Sequence, residues 1–158
     1  MKRTLLLLPL LGLLWPLQAS EQADPRVKTL LEKCKLAYEL DKDNDYALPF
    51  DVGDERSQTV FVVSDTFAVG ETEYREVVSL GAVFKKPLSA ALAEKLLLAS
   101  GESPLGAWKM VKDGDTRAIF FTVKVPANAA PNTWVKVIEG VAVQADAMEK
   151  ELTGEDEN

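Results

Sequence analysis

Residues 107–126 read AWKMVKDGDTRAIFFTVKVP, and this stretch decides the fold. Asp113-Gly114 is a hairpin signal flanked by two runs with strand character. The first run spans 107–112. The second spans 116–125 and places Ile119, Phe121, Val123 and Val125 on one face at a period of two, until Pro126 ends it. A tight hairpin with one strongly apolar face belongs to an antiparallel sheet covered on one side.

The flanks of this hairpin carry helical spacing. On the N-terminal side, 89–99 reads as a helix capped by Ser89 and followed by Gly101. Leu88, Leu92, Leu96 and Ala99 form its stripe, widened by Leu97. On the C-terminal side, 128–132 is a loop and 133–152 a long helix. Trp134, Ile138, Val141, Ala145, Met148 and Leu152 make its apolar seam. Gly154 fits the position past its end, and residues 155–158, EDEN, form an acidic solvated tail.

Further upstream the period returns to two. Residues 46–52 read as a strand, with Pro49 favouring a sheet edge. Residues 53–56 are a turn, 58–63 a second strand and 65–72 a loop containing Gly70. Residues 74–84 form a third strand, in which Gly81 marks a bulge or bend. Before them, 24–40 reads as a helix with Asp24 as N-cap and Pro25 in the first turn. Val27, Leu30, Leu31, Cys34 and Tyr38 share one face of that helix. This spacing predicts a buried Cys34 that reacts slowly. The predicted order is helix, three strands, helix, two strands, helix. It gives an α+β fold in which helices cover an antiparallel sheet.

The N-terminus carries a different message. MKRTLLLLPLLGLLWPLQA, residues 1–19, has the pattern of an export signal. Lys2 and Arg3 supply the positive start, and an apolar run too short for a comfortable span follows. Cleavage is expected between Ala19 and Ser20, giving a periplasmic or secreted protein that meets the membrane only through the uncleaved signal. Residues 20–154 then form one domain. Losing Lys2 and Arg3 leaves 16 basic against 25 acidic residues, a charge of −9. No basic patch for a phosphate backbone is visible, so no nucleic-acid partner is expected. The single Cys34 rules out an internal disulfide.

Little in the chain points to chemistry. It has no His, which removes Ser-His and Cys-His nucleophiles and His-containing zinc sites. There is no phosphate-binding or dinucleotide glycine motif. Asp41, Asp43 and Asp45 match the first ligands of a calcium loop. Tyr46 then stands where Gly is needed and Val52 where a bidentate Glu is needed, so a solvated turn is the better reading. No cofactor, metal or catalytic residue is assigned. Trp108 and Trp134 can be core residues or interface anchors, and Trp108 is the stronger interface candidate.

Several stretches resemble the YbjN-like family and the type III secretion chaperone-like fold. They are DYALPFDV at 45–52, SQTVFVVSD at 57–65, AEKLLLASGESPLGAW at 93–108, FFTVKVPA at 120–127 and VAVQADAMEKELTG at 141–154. The most specific is LLLASG followed closely by LGAW. The resemblance implies a binding or regulatory role. Chaperones of this fold hold extended client segments, usually as homodimers. They work in the cytosol, from which the export signal would separate this chain. The leading expectation is an exported, non-enzymatic, protein-binding or chaperone-like domain acting through a sheet edge or apolar surface near the helices. The alternative is a small-ligand-binding protein with a pocket between sheet and helices. An enzyme using carboxylates ranks last.

Overall fold

Alternation of apolar and polar residues along 116–126 is resolved by a sheet with helices on one side only. The computed structural model describes residues 21–153. In chain order they form α1 (Pro25–Cys34), β1 (Glu39–Leu40), β2 (Tyr46–Gly53), β3 (Arg56–Val69), β4 (Thr72–Phe84), α2 (Ala90–Glu102), β5 (Ala107–Asp113), β6 (Thr116–Pro126) and α3 (Pro131–Thr153). The sheet order is β1-β2-β3-β4-β6-β5, with every pairing antiparallel. The α+β class, the β2–β3–β4 meander and the β5–β6 hairpin match the sequence reading. The hairpin folds back so that β6, not β5, joins β4.

The core lies between sheet and helices. Trp134, Ile138, Val141 and Ala142 of α3 and Val27 and Leu31 of α1 pack on Val60, Val62, Val77, Phe121 and Val123. A second cluster joins Leu96 of α2, Ile119 of β6 and Met148 of α3. The opposite sheet face carries Val111, Ala118 and Phe120, with Leu80 against them and no helix residue in the cluster. Deleting a buried side chain such as Ile138 to Ala would cost about 2–5 kcal/mol.

Four boundaries differ from expectation. The first helix stops at Cys34, because Lys35 turns left-handed at φ 57° and its N–H closes onto Glu32 and Leu31. Tyr38 is therefore off the helix, set edge-on to Tyr46 with ring centroids 5.2 Å apart. Cys34 is only half-buried at the helix end. The expected loop 65–72 is mostly strand. After a bulge between Val62 and Thr66, β3 runs on to Val69, and Gly70 at φ 61° makes the turn. Gly101 lies inside α2, which ends at Glu102. A short β1 precedes the meander. The bulge expected at Gly81 is present, as a register shift between Leu80 and Ala82. Ala19, Ser20 and Gly154 lie outside the described residues. Among the described residues no helix is long and apolar enough to cross a membrane.

One polar assembly pins the N-terminal end. Arg75 on β4 is 2 % exposed and donates to the Val63 and Ser64 carbonyls at the β3 bulge and to Asp24 Oδ2 at 2.5 Å. Asp24 also caps α1 through the Arg26 N–H at 2.8 Å. Arg26 reaches on to Glu73 at 2.7 Å. The register places this Arg on the helix-covered face, opposite Val125.

Candidate protein-interaction surface

The feature that stands out is the outer side of α2 and its approach to α3. Residues 96–98 are three consecutive leucines, and successive helical residues are about 100° apart. A helix resting on a sheet can bury only one of the three. Leu96 is that one; Leu97 is 73 % exposed and Leu98 64 %. The expected widening of the buried stripe by Leu97 is therefore corrected: this side chain points to solvent. Leu105, Met110 and Val143 are also more than half exposed. These five lie on α2, on the loop after it, on β5 and on α3.

The loop at 103–106 is held in place by its own residues. Ser103 Oγ accepts the Gly106 N–H at 3.3 Å. A Cβ on Gly106 would stand 2.4 Å from the Thr122 carbonyl oxygen, so only Gly lets the loop lie on β6. Leu105 then leans toward α3, and its Cδ1 would be 3.9 Å from a Cβ on Gly140. Between loop and α3 opens a depression of about 320 Å³, floored by Phe121 and Val123 and walled by Leu105, Val137 and Val143. A second depression of about 390 Å³ follows along α3, between Leu98 and Ala91 of α2 and Met148 and Glu151. Each depression is bordered by one ion pair. Lys136 bonds Glu139 at 2.7 Å, and Lys95 bonds Glu151. What the groove offers a ligand is apolar contact bounded by these two ion pairs and by Glu94 and Glu102.

Trp108 sits beneath this region rather than projecting from it. Its half-buried ring meets Phe121 edge-on at 5.2 Å and 60° and contributes to both helix-side core clusters. Its backbone N–H donates to Ser100 Oγ at 2.9 Å, tying β5 to α2. Trp134 is fully buried in the main core.

Two of the three aspartates of the 41–45 turn bond the backbone through their side chains. Asp41 Oδ1 accepts the N–H groups of Asp43 and Asp45, each at 2.9 Å. Asp45 turns inward and accepts the Ser64 N–H at 2.7 Å. Burial pushes its carboxyl up to about 6, against the Ser64 hydrogen bond and helped by Asp41, Asp43 and Asp65. Burial also raises Asp24, but hydrogen bonds from Arg26 and Arg75 outweigh it and leave this carboxyl at about 2. Glu73 is held at about 2, chiefly by Arg26 and then by Thr66. No group of three or more His, Cys, Asp or Glu placed to hold a metal occurs among the described residues.

The sequence reading singled out Trp108 but not Leu98, Leu105 or Val143. The signal was present in the LLL run at 96–98, which exceeds what one helix face can bury.

No family model and no curated protein matches the chain. Among solved structures, the chain is similar to the crystal structure of YbjN from E. coli, presented there as a candidate transcription regulator. The TM-score is 0.47 at 12 % identity, over 77 % of this chain and 89 % of that one.

Proposed function

We propose that this is an exported, non-enzymatic, protein-binding domain of chaperone-like type. Its client's apolar segment lies in the groove that α2 and the 103–106 loop form with α3. The observation that carries this reading is the set of exposed Leu98, Leu105 and Val143 side chains beside two successive apolar depressions on one helix. A surface that keeps several large apolar groups together in water usually meets a partner. Lys136 and Lys95 on the rim are already paired, so apolar contact is the main source of affinity. Export rests on the pattern of residues 1–19. Crosslinking in intact cells followed by mass spectrometry tests the function. Reproducible capture of one defined polypeptide, lost in a Leu105→Glu, Val143→Glu variant, is expected. A protein that captures nothing in its own compartment contradicts it.

A second reading is favoured by one observation. The depression over Phe121 and Val123 is about 320 Å³, within the usual size of small-molecule sites. Native mass spectrometry that finds a co-purifying small apolar molecule, with no polypeptide captured, would select it.

A further inference from the structure

The outer face of the sheet is shielded from water although no helix packs on it, and we propose that its cover is the chain's own apolar run, residues 5–17. Val77 and Val123 point into the helix-side core, so alternation puts Val78, Leu80, Ala118 and Phe120 on the other face. Val111 joins them from β5, opposite Ala118. A side chain flanked only by its neighbours in a sheet still shows its tip to water. Here Val78 and Ala118 are 0 % exposed, Phe120 3 % and Val111 5 %. No residue of α1, α2 or α3 belongs to the cluster of Val111, Ala118 and Phe120.

Part of the cover comes from the face itself. Lys109, opposite Phe120, reaches across β6 to Glu76 at 3.2 Å, and Glu76 lies opposite Lys124. The Lys109 stem therefore runs toward the Lys124 end, away from Ala118 and Val111. This ion pair closes one end of an apolar patch. At the other end the patch reaches Val83, which lies opposite Ala118 and is 39 % exposed. Across β4, β6 and β5 the patch is about 10 Å wide, and from Thr122 to Ala118 it is about 14 Å long. That footprint suits a single chain segment, since a helix with its side chains is about 10–12 Å across.

Residues 5–17 have the chemistry, the length and the point of attachment for this place. They hold nine leucines and Trp15 and carry no charge. Thirteen residues are about 20 Å long even as a helix, enough to cross the patch. The chain enters at the right end of the sheet. Asp24 bonds Arg75, which lies opposite Val125, and β6 ends at the next residue, Pro126. Residues 18–22 span up to about 17 Å. This carries the chain round the end of β6, from the helix side, where Ala23 packs, to the outer side. The contact takes the run out of water within one molecule. It belongs to the uncleaved chain and is independent of client binding in the α3 groove. Cleavage after Ala19 would open the patch.

The test is photocrosslinking on the full chain, made by membrane-free translation so that residues 1–19 stay attached. A photoreactive residue replaces Val83 at the patch in one chain and Leu98 at the α2 groove in another. Illumination and digestion should link position 83 to a peptide within residues 5–17 of the same molecule, with several-fold less linkage from 98. Mixing isotope-labelled and unlabelled copies separates links within a molecule from links between two. A solvatochromic dye gives a second readout. Leu8→Ser, Leu11→Ser and Leu14→Ser together should raise its fluorescence on the full chain, because the patch opens. A run lying free in water would instead lose dye when its leucines are replaced. Links from 83 mainly between copies, equal or stronger links from 98, or no link from 83 to residues 5–17 overturn the proposal. So does dye fluorescence that falls or stays level.

Discussion

The Trp108 indole occupies the space that a side chain at Gly81 would need. A Cβ there would stand 2.7 Å from Trp108 Cζ3 and 3.2 Å from Cη2. The bulge in β4 and the aromatic ring of β5 are thus fitted to each other across β6. Gly81→Ala should destabilise the fold by about 1–3 kcal/mol through overpacking. The same change in a Trp108→Leu background should cost much less. Chemical denaturation of the four proteins measures the coupling, and additive costs would show that ring and bulge are independent.

Two arginines share Asp24, and burial separates their worth. Arg75 is almost fully enclosed and also serves two carbonyls at the β3 bulge, whereas Arg26 is well exposed. Arg75→Met leaves those acceptors and part of the Asp24 charge without a donor, and should cost about 3–5 kcal/mol. Arg26→Met should cost at most about 1 kcal/mol. Urea midpoints at pH 7 check the ordering, and equal losses would contradict it.

Asp45 makes stability fall as the solution becomes less acidic. Its carboxyl titrates near 6 in the fold against 3.8 for the ordinary group. Below pH 3.8 both states hold the proton and the group contributes nothing to the difference. Between 3.8 and 6 the unfolded chain ionises first, so folding is progressively disfavoured, by an amount on the order of 2–3 kcal/mol at pH 7. Asp45→Asn keeps an acceptor for the Ser64 N–H and removes the charge. Its melting temperature should exceed that of the parent at pH 7.5, with the gap closing toward pH 4. A gap independent of pH would contradict the burial of an ionisable acid there. Asp24 works in the opposite sense, because its stabilisation is present above pH 3.8 and is lost as pH falls through about 2.

Cys34 should react with a maleimide without global unfolding. It lies half-buried at the end of α1, with Sγ 4.0 Å from the Pro131 carbonyl oxygen. Labelling rates that do not follow low concentrations of denaturant are expected. A rate that tracks global opening would restore the buried thiol that helical spacing suggested.

Much of the architecture was legible because local signals agreed with the global fold. Asp113-Gly114 and the alternation after it gave the hairpin, Asp24 and Ser89 cap their helices as read, and the spacing from Trp134 to Met148 gave the core face of α3. The failures have physical reasons. Nothing in LAYEL at 36–40 marks an end to α1. The break is made by Lys35, an ordinary residue held left-handed, and by Tyr38 finding Tyr46. Gly70 looked like loop, but it is the turn of a hairpin whose arms extend past a bulge. The interaction surface was hidden for a related reason. Leu97 and Leu98 look like core until the helix is placed, since sequence does not say which third of an apolar helix meets the sheet. Arg75 lies in a strand reading as ordinary half-buried sheet, and its partners at residues 24, 63 and 64 are brought to it only by the fold.

The central claim is that the groove along α3 holds a polypeptide segment. The most direct measurement places a photoreactive residue at Val143, in the groove, and at Lys124, on the opposite sheet face, in two otherwise identical chains expressed in their own cells. Illumination should attach one defined polypeptide at position 143 and not at 124, with the attached segment apolar in sequence. Equal capture at both positions, or none at 143, would contradict the account.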